Sequence, residues 1–169
     1  KDALVGRNIS PDSHLHAVSL LGQGGFGSVY KAVTKKVDGK EGGWVAVKVA
    51  AGKAGAGSEG SSGETDPVVE AQKREAEQLK SLPKHPHVVA VLDVQVHPEY
   101  GLLIVLPYAK AGDLKRWMAG LAAARDKWGQ RVVRMDRVLK VLLGMALGLR
   151  HVHSLGFVHR DVKPGNVLV

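Results

Sequence analysis

Apolar and polar positions change period several times along the chain, and the changes mark its elements. Residues 14–21 have strand character and run into a glycine-rich stretch over 22–27, after which Val29-Tyr30-Lys31-Ala32-Val33 predicts a second strand. A turn rich in Asp and Gly over 38–43 leads to a third, β-branched strand, Trp44-Val45-Ala46-Val47-Lys48-Val49. Over 66–82 the period lengthens to that of a helix, with Thr65 or Asp66 as N-cap and Pro67 at the first helical position. Two apolar runs, 88–96 and 101–106, flank the turn-like His97-Pro98-Glu99-Tyr100 and predict an antiparallel hairpin. A helix over 113–124 and a charged loop over 125–134 follow. From Met135 to about Ser154, Val138, Leu139, Leu142, Met145, Ala146, Leu149 and Val152 form one apolar stripe of a long helix. Val167-Leu168-Val169 begins another strand. The expected class is α+β: an antiparallel five-stranded sheet with one helix, then the start of a helical part.

Two stretches carry no period. Residues 1–13 are a mixed lead-in, whose Asn8-Ile9-Ser10 is formally a glycosylation sequon with nothing else pointing to secretion. Residues 51–63 are almost entirely Gly, Ala and Ser, the composition of a flexible surface insertion. Gly52-Lys53 within it is no phosphate loop, because no strand feeds it and no Ser or Thr follows the lysine. The 169 residues, 44% hydrophobic and 24% charged, are globular in composition and at most one domain's worth. The formal charge of +8 comes from Lys and Arg interleaved with Asp and Glu, a solvated basic surface rather than a nucleic-acid face. The absence of cysteine excludes disulfides, thiolate metal sites and cysteine nucleophiles. The longest apolar run, 141–149, is far below the ~20 residues that span a bilayer. With no signal-peptide core either, the expected compartment is cytoplasmic. The chain lacks an initiator Met, as an excised piece would.

Candidate chemistry lies at four places. Gly22-Gln23-Gly24-Gly25-Phe26-Gly27 is weak as a G-x-G-x-x-G match alone. Since a strand follows it, the element is a glycine-rich hairpin whose backbone N–H groups can approach phosphate oxygens with no Cβ in the way, or a flexible hairpin without ligand. Lys48 lies inside an apolar strand, where an ammonium needs an anionic partner. On the 66–82 helix, Val68, Ala71, Gln72, Glu75, Leu79 and Leu82 share one face, so Glu75 is the acid on the predicted inward stripe. The last place is Asp161-Val162-Lys163-Pro164-Gly165-Asn166, between apolar runs. Asp161 can accept a proton from a hydroxyl, Lys163 can neutralise a phosphoryl oxygen and Asn166 can offer a carbonyl oxygen to Mg²⁺. A charged surface turn is the plain alternative for so short a segment.

His159-Arg160-Asp161-Val162-Lys163-Pro164-Gly165-Asn166 resembles the catalytic loop of a eukaryotic protein kinase. The glycine hairpin resembles that family's lid over ATP, and Val45-Ala46-Val47-Lys48 its V-A-I-K strand. The motifs stand in family order across almost the whole chain. The resemblance implies an N-lobe over 14–106, a hinge over 107–112 and a partial C-lobe over 113–169. It implies ATP and Mg²⁺ as cofactors and a protein bearing Ser or Thr as substrate, since Lys163 matches the Ser/Thr form of the loop. It assigns Asp161, Lys163, Lys48 and Glu75 to catalysis, with an ion pair between Lys48 and Glu75 orienting the lysine, and Asn166 to the metal. Leu21, Gly22, Gly24, Gly25, Phe26, Gly27, Val29, Ala46, Lys48, Leu106, Pro107, Ala109 and Leu168 are its nucleotide-binding positions. Leu106 takes the gatekeeper place, and Pro107 stands where the family commonly has Glu, keeping a carbonyl acceptor.

No Asp-Phe-Gly tripeptide occurs in the sequence. The metal-holding aspartate, the activation segment that Arg160 would pair with and A-P-E are therefore missing, and these 169 residues by themselves are expected not to transfer phosphate and to leave the 138–152 stripe incompletely covered. Two other functions compete with an active kinase: a truncated pseudokinase serving as a nucleotide-binding or scaffold module, and a nicotinamide-dependent enzyme. The last requires Gly22 to Gly27 to open a helix.

Overall fold

Each β-branched run in the first part of the chain becomes a strand of one sheet. The computed structural model describes residues 4–10, 12, 14–24, 27–35, 41–50, 67–125, 127–130 and 134–169. Its strands are β1 (Leu15–Gly24), β2 (Gly27–Lys35), β3 (Glu41–Ala50), β4 (Asp93–His97) and β5 (Gly101–Pro107), and its helices are α1 (Pro67–Ser81), α2 (Leu114–Ala123) and α3 (Met135–Ser154). The sheet is antiparallel throughout, in the order β1-β2-β3-β5-β4. Because Gly27 opens strand β2 and not a helix, the nicotinamide-enzyme geometry does not arise. The insertion over 51–63, with Thr65 and Asp66, lies outside the described residues.

The chain falls into two units, Lys1–Pro83 with Ala90–Tyr108, and Lys84–Val89 with Ala109–Val169. In the first, Tyr30, Ala32, Val45, Val47, Leu103 and Val105 project from one face of the sheet into a buried cluster. The lead-in closes that cluster. Ile9 is fully buried and Leu4 nearly so, and the Gly6 N–H bonds Ala17 O at 2.9 Å while the Ala17 N–H bonds Arg7 O at 2.9 Å, so 4–10 runs along β1. Buried Ser10 accepts the Leu15 N–H on its hydroxyl. Two buried apolar residues widely spaced in a polar stretch have no period to betray them.

Helix α1 packs on β4 and β5, but on a different stripe from the predicted one. Val69 and Ala76, two turns apart, are buried, whereas Glu75 and Leu79 are exposed. The helix is pinned at its C-terminal end, where Lys80 Nζ meets Asp93 Oδ1 of β4 at 2.6 Å. Adjacent valines at 68 and 69 and alanines at 71 and 76 make two stripes about 100° apart nearly equal in apolar content, and packing against the sheet selects one.

In the second unit, α2 starts where Asp113 caps it, its Oδ1 accepting the Arg116 N–H at 2.7 Å. The segment 84–89 docks on α3: the His85 ring stacks on His151 at 4.5 Å and 12°, and the His87 carbonyl lies so close to Gly148 that no Cβ fits between them. That docking, together with the turn over 86–88, is why β4 begins at Asp93 rather than at 88. Residues 167–169 form a single bridge, Asp113 with Leu168, instead of a strand.

Candidate active site

Register across the sheet decides which predicted residues of the first unit meet. Gly22 opposes Val29, Val29 opposes Lys48, and Lys48 opposes Ile104; one step along, Ala46 opposes both Lys31 and Leu106. Directly opposed residues share a face and strand residues alternate, so Val29, Ala46, Lys48 and Leu106 lie on one face, the one turned away from the buried cluster. Adjacent strands lie about 4.8 Å apart, which brings a glycine backbone, three apolar side chains and an ammonium into one patch. A shift in register between Leu20 and Gly22 leaves Leu21 as the extra residue of a bulge, exposed beside the glycines. The hairpin closes through Gly24 opposite Gly27, and Gly27 has φ +115°, which a side chain would oppose. Gly25 and Phe26 lie outside the described residues. Pro107, exposed, ends β5 opposite Val45.

The expected Lys48–Glu75 ion pair is not formed. Among the described residues no carboxylate pairs with Lys48, and Glu75 is exposed because the buried stripe of α1 runs through Val69 and Ala76.

In the second unit Asp161, Lys163 and Asn166 form one hydrogen-bonded group. Lys163 Nζ is 2.8 Å from Asp161 Oδ2, and Asn166 Nδ2 donates at 2.8 Å to both the carbonyl oxygen and Oδ2 of Asp161. The turn that permits this has three parts. Arg160 takes φ +59°, a left-handed conformation that costs a side-chain-bearing residue roughly 1–2 kcal/mol. The Asp161 N–H returns to His159, 2.8 Å from its carbonyl oxygen and 3.3 Å from Nδ1. Pro164–Asn166 then form a 3₁₀ turn, with the Asn166 N–H on Lys163 O at 2.9 Å. Behind the group the chain is tied to the start of α2, since the Leu114 N–H bonds Val167 O at 2.7 Å and the Val169 N–H bonds Gly112 O at 3.0 Å. Leu168 is exposed beside this tie, and Ala109 caps a turn by accepting the Gly112 N–H.

The electrostatics follow from these contacts. The hydrogen bond from Lys163, and then that from Asn166, hold the Asp161 carboxyl below its usual value of 3.8. With its NH₂ spent on Asp161, Asn166 leaves Oδ1 free among the described residues, a hard oxygen donor beside a carboxylate. An oxygen of that kind suits Mg²⁺, which binds through one or two protein oxygens and keeps several waters.

The protein kinase domain model matches residues 15–169. The chain belongs to the protein kinase family. Curated relatives include the sporulation protein kinase mde3 of Schizosaccharomyces pombe, 29% identical over 150 residues, which cover 88% of this chain and 24% of that protein. The mouse inhibitor of nuclear factor kappa-B kinase subunit epsilon is 33% identical over 157 residues, 90% of this chain and 18% of that protein. The serine/threonine-protein kinase PknK of Mycobacterium tuberculosis is 32% identical over 154 residues, 90% of this chain and 12% of that protein. The chain thus spans a quarter or less of the length of these kinases. The five-stranded antiparallel sheet with α1 is a kinase N-lobe, and α2 and α3 begin a C-lobe. Protein kinases use ATP and Mg²⁺ and act on proteins. Among the described residues no helix is long and apolar enough to cross a membrane.

Motif reading missed the supports of these kinase residues: Asp113 as cap and bridge partner, the Lys80–Asp93 pair, and His87 against Gly148. Asp113 before a helical run was a visible cap signal. The other two join residues far apart in sequence and carry none.

Proposed function

We propose that the full-length protein transfers the γ-phosphoryl group of ATP to serine or threonine hydroxyls of protein substrates. The Asp161–Lys163–Asn166 group carries this reading. Asp161, ionised and fixed by two donors, takes the proton of the attacking hydroxyl; Lys163 offsets charge on the phosphoryl oxygens; Asn166 Oδ1 holds Mg²⁺, which neutralises the charge that develops on transfer. Val29, Ala46 and Leu106 supply apolar surface for the adenine, the backbone of Pro107 and Ala109 its polar edge, Gly22, Gly24 and Gly27 the approach to the phosphates, and Lys48 a cation for them. In this assignment 107–112 is the hinge.

The full-length protein with Mg²⁺ and γ-labelled ATP is expected to label Ser or Thr in a generic substrate such as myelin basic protein. Asp161→Asn should reduce this by at least about 10²-fold, the usual scale of a lost general base. Labelling confined to tyrosine, or unaffected by Asp161→Asn, sinks the assignment. Residues 1–169 by themselves, which contain no Asp-Phe-Gly, are expected to give none.

The exposed Glu75 and the unmade pair with Lys48 favour a second reading, a nucleotide-binding pseudokinase or scaffold. Nucleotide binding without labelling by the full-length protein would support it.

A further inference from the structure

On the sheet face that carries Lys48, a second lysine lies against two aromatic rings. Lys31 of β2 opposes Ala46, and Ala46 opposes Leu106, so the three form one row across β2, β3 and β5. Trp44 is two residues before Ala46 on β3, and Tyr108 two residues after Leu106. Alternation puts both aromatic residues at positions of the same face, one register step beyond the Val45–Pro107 pair. Lys31 Nζ lies 3.9 Å from the centroid of the Trp44 ring and 4.9 Å from that of Tyr108, within cation–π range of each. Among the described residues no carboxylate pairs with Lys31.

The ladder between β3 and β5 stops at this point. Pro107 is the last residue of β5 and has no N–H to donate, and Tyr108 lies beyond the strand. At this last pair an ammonium shared by two rings, one on β3 and the other on the segment after β5, joins the Tyr108 side chain to β3.

We propose that Lys31 is a positioning residue for the nucleotide: its shared contact with Trp44 and Tyr108 holds the Pro107–Tyr108 backbone in register with Ala46. This rests on the nucleotide reading above. The adenine edge would be met by the backbone of Pro107 and Ala109, on either side of Tyr108, and its apolar face by Ala46 and Leu106, so a slip between them costs affinity. Lys31 does not touch the phosphates or the reacting atoms.

The test uses ADP·Mg²⁺ titrated calorimetrically into the wild type, Lys31→Met and Lys31→Arg, with amide hydrogen exchange over 105–110 in the absence of nucleotide. Losing a cation shared by an exposed ring and a half-buried one should weaken ADP by roughly 3- to 10-fold in Lys31→Met and speed exchange over 108–110. Arginine, which also stacks on aromatic faces, should restore both. Should Lys31→Met fold poorly, Tyr108→Leu removes one ring, leaves Lys31 and Trp44 in place, and is expected to weaken ADP in the same direction. Wild-type ADP affinity and unchanged exchange in Lys31→Met or Tyr108→Leu overturn the role of Lys31 while leaving the nucleotide reading intact. A wild type that binds no ADP overturns the nucleotide reading itself, and the positioning role with it.

Discussion

Asp161 carries a negative charge that two neighbours secure, Lys163 at 2.8 Å and Asn166 at 2.8 Å. Its folded pKa lies below 3.8, so its contribution to stability is present above the unfolded value and is lost as pH falls through the folded one. The carboxylate is thus ionised across neutral and mildly acidic pH, the state a proton acceptor needs. Replacing Lys163 by Ala should move the Asp161 titration upward, toward 3.8, as followed by the carboxyl carbon signal in NMR. A titration that stays where it was would show that Lys163 does not hold the charge. This group was legible in the sequence because its members lie within six residues and a local turn suffices to join them. The expected Lys48–Glu75 pair, joining residues 27 apart, depended on how a helix is rotated, and there the reading failed.

Helix α1 shows why. Its periodicity admits a stripe through Val68, Gln72, Glu75 and Leu79 and another through Val69, Gln72 and Ala76, and the contact with β4 and β5, pinned by Lys80 and Asp93, buries the second. Helix α3 was predicted with both ends correct, yet the meaning of Gly148 was hidden until 84–89 lay against it. Two glycine substitutions separate helix propensity from this docking. Gly120 of α2 has open space at the Cβ position, so Gly120→Ala should stabilise by up to about 1 kcal/mol in urea unfolding. Gly148→Ala brings the same propensity gain but drives a methyl into the His87 carbonyl, and should destabilise by about 1–3 kcal/mol. Equal stabilisation at both sites would mean that 84–89 does not dock on α3 in this way.

Over the molecule as a whole, α3 leaves Met135, Leu139, Leu142 and Leu143 exposed, each by more than half; Leu139 and Leu142 belong to the stripe expected to be incompletely covered, Met135 and Leu143 lie outside it. Contiguous apolar surface of this kind drives association, so residues 1–169 should sediment with a concentration-dependent coefficient that Leu139→Lys with Leu143→Lys suppresses. A monomer at every concentration would refute this. The class of fold, the order of strands along the chain, the glycine hairpin, the helix starts at Pro67 and Asp113 and the Asp161–Lys163–Asn166 group were all legible from residues within a few positions of one another, because backbone preference, capping and turn geometry act over that range. Which stripe of α1 is buried, that Leu4 and Ile9 complete the sheet's core, that Gly148 admits a carbonyl and that Lys31 sits between two rings were not legible. Each is a choice among locally equivalent arrangements, and the burial or contact that selects one comes from residues tens of positions away.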